Sequence, residues 1–187
     1  AVLKLFPAPH SRAVAFAAFQ TPQQALQLLG HMRGALGDRF TAFELMSDAS
    51  VAMVRRHFPG TPALFAEPHP WQVLMEATDP GAGEGAQAAL DAAFQGALEQ
   101  ALEAGVIADV VIATSVAQAE ELWAVRENIS EAQQHDGQNI KHDIAVPVSG
   151  VAAFIEEVQP LLHAAYTGVR PIVYGHLGDG NLHFNVS

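Results

Sequence analysis

Short apolar runs bounded by Pro, Gly and charge alternate along the chain with stretches in which apolar positions recur every three or four residues. That mixture of a strand period and a helix period predicts an α+β domain. The short runs predict strands over residues 2–6, 13–19, 40–46, 72–78, 109–113, 143–148, 171–176 and 182–186. The periodic stretches predict helices over 22–36, 48–57, 84–104, 117–134 and 151–166. Several starts carry capping chemistry: Thr21 precedes Pro22, and Ser47 and Asp48 stand ahead of the next helix. The third helix has apolar residues at Ala89, Ala93, Ala97 and Ala101, which predicts an amphipathic element of high intrinsic propensity.

Two strand–helix–strand segments of similar length begin at Ala13 and Gln72. They fit a duplicated, ferredoxin-like pattern on one largely antiparallel sheet covered by helices. FPGTPALFAEPHPW and TDPGAGEGA read as connecting loops, because Pro removes backbone donors and Gly is costly inside elements. His69, between two prolines, reads as a loop residue rather than a ligand.

Composition narrows the chemistry. With 187 residues, half of them apolar, the chain can bury a core and reads as one domain. Its 20 acidic and 9 basic side chains give a net charge of -11, which repels phosphate backbones and anionic membranes, so nucleic acid is not an expected partner. Any anionic substrate must then be met by a few well-placed cations or a metal. The absence of cysteine excludes disulfides and thiolate sites, leaving His, Asp, Glu and Asn as ligands. No apolar run approaches the length of a membrane span and no signal peptide is evident, which predicts a cytoplasmic protein. The missing initiating Met, and an end at HFNVS within a strand-like run, predict a piece of a longer protein.

The sharpest local feature is VYGHLGDGNLHFNVS. If Gly178 to Asn181 form a hairpin turn, Leu177 faces Leu182 and His176 lies opposite His183. Cross-strand partners have Cβ atoms about 5 Å apart on one face, so both imidazoles could reach one metal or one substrate. Asn185 shares that face with Tyr174 as its partner, while Leu177, Leu182 and Phe184 fall on the core side. Two surface imidazoles on a glycine turn remain the plainer alternative. A zinc or manganese ion would need a further oxygen ligand, and spacing identifies none.

The second constellation is ELWAVRENISEAQQHDGQNIKHDIAVP. Arg126 and Ser130, four apart, are neighbours on one predicted helix, and Lys141 starts the next strand. Guanidinium, hydroxyl and ammonium together can bind a carboxylate. The alternative pairs Arg126 with a nearby Glu and Lys141 with Asp143.

Together LWAVRENISEA, KHDIAVPVS and YGHLGDGNLHFNV, supported more loosely by TAFELMS, resemble the C-terminal substrate domain of the FAD-linked oxidases. That family includes D-lactate, glycolate and D-2-hydroxyglutarate dehydrogenases of the vanillyl-alcohol oxidase superfamily. The resemblance implies a flavin-dependent dehydrogenase acting on a small D-2-hydroxyacid. It implies Arg126, Ser130, Lys141 and Asn185 as substrate contacts, and His176 and His183 as ligands of a divalent metal, zinc or manganese. Ser130 stands where the hydroxyglutarate-type members carry Thr. The implied mechanism removes the hydroxyl proton by a base while a hydride leaves C2 for the flavin.

The resemblance also places most of the FAD site in an N-terminal domain with a glycine-rich loop, and a further metal ligand and candidate base in a G-E-H-G motif beyond the hairpin. Neither segment is found in these 187 residues, so the chain alone is expected to lack turnover and to bind metal weakly at most. The catalytic base and electron acceptor are left unassigned, and a homodimer is a candidate assembly. Two other readings stay open: a stand-alone ferredoxin-like module that binds a small acid or metal without catalysis, and a metal-dependent hydrolase. The hydrolase is disfavoured because Asp179 reads as a turn residue.

Overall fold

The computed structural model describes residues 2–3 and 7–187. Its elements run β1 (Ser11–Phe19), α1 (Pro22–Leu36), β2 (Phe40–Ser47), α2 (Asp48–His57), β3 (Trp71–Asp79), α3 (Ala86–Glu103) and β4 (Asp109–Ile112). They continue with α4 (Val116–Glu127), α5 (Ile129–His135), β5 (Asp143–Ala145), α6 (Val151–Ala165), β6 (Pro171–His176) and β7 (Asn181–Val186). The strand expected over residues 2–6 falls mainly outside the described residues; Val2 and Leu3 form none.

The seven strands form one sheet in the order β4-β1-β3-β2-β6-β7-β5, every neighbouring pair antiparallel. The β4-β1-β3-β2 half, built by β1-α1-β2 and β3-α3-β4, is the expected ferredoxin-like arrangement. Helices cover both faces. On one, Ala13, Ala15, Ala17 and Phe19 of β1 pack with residues of α1, α3 and α6. On the other, Val14 and Phe16 pack with residues of α2, α4 and α5. A central strand covered twice has no polar face, which is why SRAVAFAAF is buried everywhere except at Arg12.

Thr21 caps α1 in a reciprocal capping box with Gln24, and Ser47 caps α2. The alanine stripe of α3 differs from expectation: its buried side is Leu90, Phe94, Ala97, Leu98 and Ala101, while Ala89 is exposed. A strict step of four drifts about 40° per repeat around a helix of 3.6 residues per turn, so the buried face cannot follow it.

Three further differences bear on the site. The helix expected over 117–134 is two, which meet at Asn128, the C-cap of the first and N-cap of the second, with φ -75° and ψ -6°. The strand expected to reach residue 148 stops at Ala145, because Pro147 has no N–H for the ladder and a 3-10 turn follows at Val148–Gly150. The β6–β7 connection is a 3-10 turn at Leu177–Asp179 closed by Gly180 at φ 69°, not a turn at 178–181. The register therefore pairs Tyr174 with His183 and Ile172 with Asn185, shifting by two the expected pairs of His176 with His183 and Tyr174 with Asn185. His176 continues the ladder with β2 instead, opposite Glu44.

One polar cluster locks α5 in place. Asp136, just past the end of α5, accepts from Arg56 at 2.7 Å, from His57 at 3.1 Å and from Arg170 ahead of β6. Burial pushes its carboxyl up, but the His57 hydrogen bond, the Arg170 hydrogen bond and charge, and the Arg56 charge outweigh that and bring it from 3.8 to about 2.

Candidate active site

A slip of two residues preserves parity, so Tyr174, His176, His183 and Asn185 share a sheet face although the two histidines are not directly opposed. They stand diagonally, at a Cα spacing of about 7–8 Å, within reach of a shared ligand for two imidazoles. The face is that of α4 and α5: Ile172 and Tyr174 pack with Val125, Ile129 and Ala132. Leu177, Leu182 and Phe184 lie in the opposite core, as their spacing required.

β2 adds Glu44, 3% exposed in the middle of this face. Such a carboxylate is tolerated only when its oxygens are matched by donors. Arg126, in the last turn of α4, donates Nε–H to Glu44 Oε2 at 2.8 Å. His176 Nδ1 meets Glu44 Oε1. The Arg126 guanidinium lies over the Tyr174 ring at 4.8 Å, and its Nη groups make no hydrogen bond among the described residues. The neighbouring Glu residues of α4 are thus not the partners of Arg126; an acid from across the sheet is.

Ser130 sits in the first turn of α5 rather than on the helix of Arg126, yet both converge on Tyr174: Ser130 Oγ and Tyr174 Oη share a hydrogen bond of 3.1 Å. His183 stacks on the same ring, centroids 4.6 Å apart. Its Nδ1 meets Asp143 of β5, and no Lys141–Asp143 ion pair is present among the described residues. Both histidines thus engage a carboxylate through Nδ1, and neither Nε2 has a partner among the described residues. This is the outer-shell pattern of metal-ligating histidines, in which the carboxylate fixes the tautomer that leaves Nε2 unprotonated. A third donor is missing, since no group of three His, Asp or Glu side chains among the described residues could hold a metal.

Asn185 is 1% exposed, and its amide is locked from both ends. The backbone N–H of His142 can only donate, so it takes Asn185 Oδ1 at 2.9 Å; Asn185 Nδ2 must then donate to Gln133 Oε1 at 2.8 Å. Gln133 Nε2 is left buried without a partner among the described residues. Lys141 is exposed on the segment leading into β5, with no ion pair among the described residues. The Ile140–Val186 bridge and the Asp143–His183 pair set it opposite Asn185.

Sequence reasoning placed Arg126, Ser130, Lys141, Asn185, His176 and His183 in one region; Glu44 and Tyr174 join Arg126, Ser130, His176 and His183, whereas Asn185 bonds His142 and Gln133, with Lys141 opposite it. Sequence reasoning missed Glu44, Gln133 and Asp143. An acid inside the apolar run TAFELMS was the available signal for Glu44, and its place inside KHDIAVPVS was the signal for Asp143; Gln133 carried none. Beside the cluster, a cavity of about 310 Å³ is lined by Arg33, Thr41, Glu44, Trp123, His176 and Asp179, among others. No helix among the described residues is long and apolar enough to cross a membrane.

Comparison with known proteins identifies the family. Residues 8–187 match the family described as FAD linked oxidases, C-terminal domain. D-2-hydroxyglutarate dehydrogenase of Xanthomonas citri pv. viticola is 39% identical over 186 residues, covering 100% of this chain and 37% of that protein. The mitochondrial D-2-hydroxyglutarate dehydrogenase of Rattus norvegicus is 33% identical over 181 residues, 97% of this chain and 32% of its own length. The chain therefore spans about a third of the relatives it matches. Among solved structures, alkyldihydroxyacetonephosphate synthase superposes on 95% of this chain and 36% of its own with a TM-score of 0.59 at 11% identity, a likeness of fold alone. By its matching family and by these relatives, the chain belongs to the FAD linked oxidases, as their C-terminal domain.

Proposed function

We propose that the chain is the substrate-side domain of a longer FAD-dependent dehydrogenase that oxidises a D-2-hydroxyacid to the 2-oxoacid. The names of its relatives make D-2-hydroxyglutarate the first substrate to try. The observation that carries the reading is Arg126: a guanidinium anchored at Nε by a buried acid, braced on Tyr174, with its Nη fork unused. In a chain of net charge -11, such a group is a prepared carboxylate site. Ser130, Lys141 and Asn185 add a hydroxyl, a second cation and a fixed amide on the same side of the sheet, enough to orient a small hydroxyacid.

His176 and His183 fit as two ligands of a divalent ion, zinc or manganese, each through Nε2. Such an ion supplies a Lewis acid for the hydroxyl and carboxylate of the substrate. The flavin of the family supplies the acceptor for the C2 hydrogen. The glycines here do not form a phosphate cradle: a Cβ on Gly180 would stand 2.0 Å from Val146 O, and one on Gly178 2.9 Å from the Arg33 guanidinium. That space is filled by the chain itself, so no residue here is assigned to the flavin.

The test is the flavin spectrum of the full-length flavoprotein, titrated anaerobically with D-2-hydroxyglutarate, D-lactate and their L-enantiomers. Bleaching by a D-acid is expected. Failure of every 2-hydroxyacid to bleach the flavin overturns the reading.

A further inference from the structure

The substrate cation and one metal-side histidine are held by the same carboxylate. Glu44 is buried, its Oε2 receiving Arg126 Nε at 2.8 Å and its Oε1 facing His176 Nδ1. Both contacts cross the sheet from β2, one up to α4 and one along the ladder to β6, where Glu44 and His176 are register partners. A more economical clamp would have used separate acids, as His183 does with Asp143.

We propose that Glu44 is a positioning residue coupling the two halves of the site: it turns the Nη fork of Arg126 towards the substrate carboxylate and holds His176 in the tautomer that frees Nε2 for a metal. This rests on the proposed roles of Arg126 and His176. A carboxylate can accept from both partners at once. Glutamine cannot. Because Arg126 Nε–H can only donate, the carbonyl of a glutamine must face Arg126 and its NH2 must face His176. Nδ1 of His176 then becomes the acceptor, and the ring proton moves to Nε2, where it blocks a ligand. Glu44→Gln should thus strike the metal side selectively, whereas Glu44→Ala strikes both.

Two measurements test this. Zinc affinity of the metal-free full-length flavoprotein, read by competition with a chromophoric chelator, should fall about 10–100-fold in Glu44→Gln. KM for D-2-hydroxyglutarate should rise clearly more in Glu44→Ala than in Glu44→Gln. Independently of any variant, long-range 1H–15N correlation spectra of the metal-free wild-type protein at alkaline pH should show His176 protonated at Nδ1. A proton at Nε2, or wild-type zinc affinity in a folded Glu44→Gln, overturns the coupling. If Glu44→Gln does not fold, the tautomer decides. Arg126→Ala and His176→Ala separate the two levels: full turnover in both defeats the functional reading itself, while loss of turnover with normal zinc affinity in Glu44→Gln defeats only the role of Glu44.

Discussion

Two carboxylates are buried to almost the same degree in this domain, Asp136 at 5% and Glu44 at 4% side-chain exposure, and they do opposite work. Asp136 gathers Arg56, His57 and Arg170 from α2 and the approach to β6, tying three partners to the end of α5. Glu44 gathers one arginine and one histidine, and each retains a free polar end pointing away from it. A closed set of partners fixes elements to one another. An open set presents chemistry to something else. The partners of Asp136 pull its carboxyl down to about 2 against the effect of burial.

Breaking the open set should show first in turnover. Arg126→Ala removes the fork proposed to hold the substrate carboxylate, and loss of one partner of such a charge pair should lower kcat/KM about 100-fold or more. Steady-state kinetics of the full-length flavoprotein with D-2-hydroxyglutarate would register it. Arg126→Lys keeps the charge but not the fork, and should recover only part of the loss. A kcat/KM in Arg126→Ala within about threefold of wild type would place the substrate elsewhere, since one hydrogen bond's worth of binding would already exceed that change.

Breaking the closed set should show in stability instead. Because the folded Asp136 carboxyl lies near 2 and the unfolded one near 3.8, its contribution is complete above about pH 4, drains as pH falls towards 2 and is absent below. At neutral pH that amounts to about 2 kcal/mol. Asp136→Asn should lower the unfolding free energy in urea by about that much at pH 7, with the gap to wild type narrowing between about pH 4 and pH 2. Turnover per folded molecule should stay at the wild-type level. A change in kcat/KM at constant folded fraction would mean that the clamp reaches the site.

This division explains what could be read from the chain and what could not. Strand positions, the capping of α1 by Thr21 and the antiparallel ferredoxin-like half follow from local period and local hydrogen bonding, so they were legible. The six candidate residues were named from their motifs alone. The hairpin register was not legible, because it depends on Leu177 burying itself in a 3-10 turn and on β6 also pairing with β2, a strand distant in sequence. Glu44 is separated from Arg126 by 82 positions and from His176 by 132, and no spacing rule spans such intervals. The break at Asn128 is similar: the helical period runs through it, and only the packing of α5 shows that Arg126 and Ser130 belong to different helices.

The smallest effect expected tests whether Asn185 belongs to the open set or the closed one. Gln133 fixes the Asn185 amide, while its own Nε2 stays buried and unmatched. Gln133→Leu removes that unmatched donor but leaves Asn185 Nδ2 without an acceptor, so the two costs, each about 1–3 kcal/mol, nearly cancel and the melting temperature should hardly move. The Asn185 amide is then held from one end alone, by the His142 N–H at Oδ1. If Asn185 meets the substrate, KM for the hydroxyacid should rise about three- to fivefold, close to one net hydrogen bond, with kcat nearly unchanged. A rise in KM without a loss of stability places Asn185 with Arg126; an unchanged KM places it with Asp136, as a strut between β7 and α5.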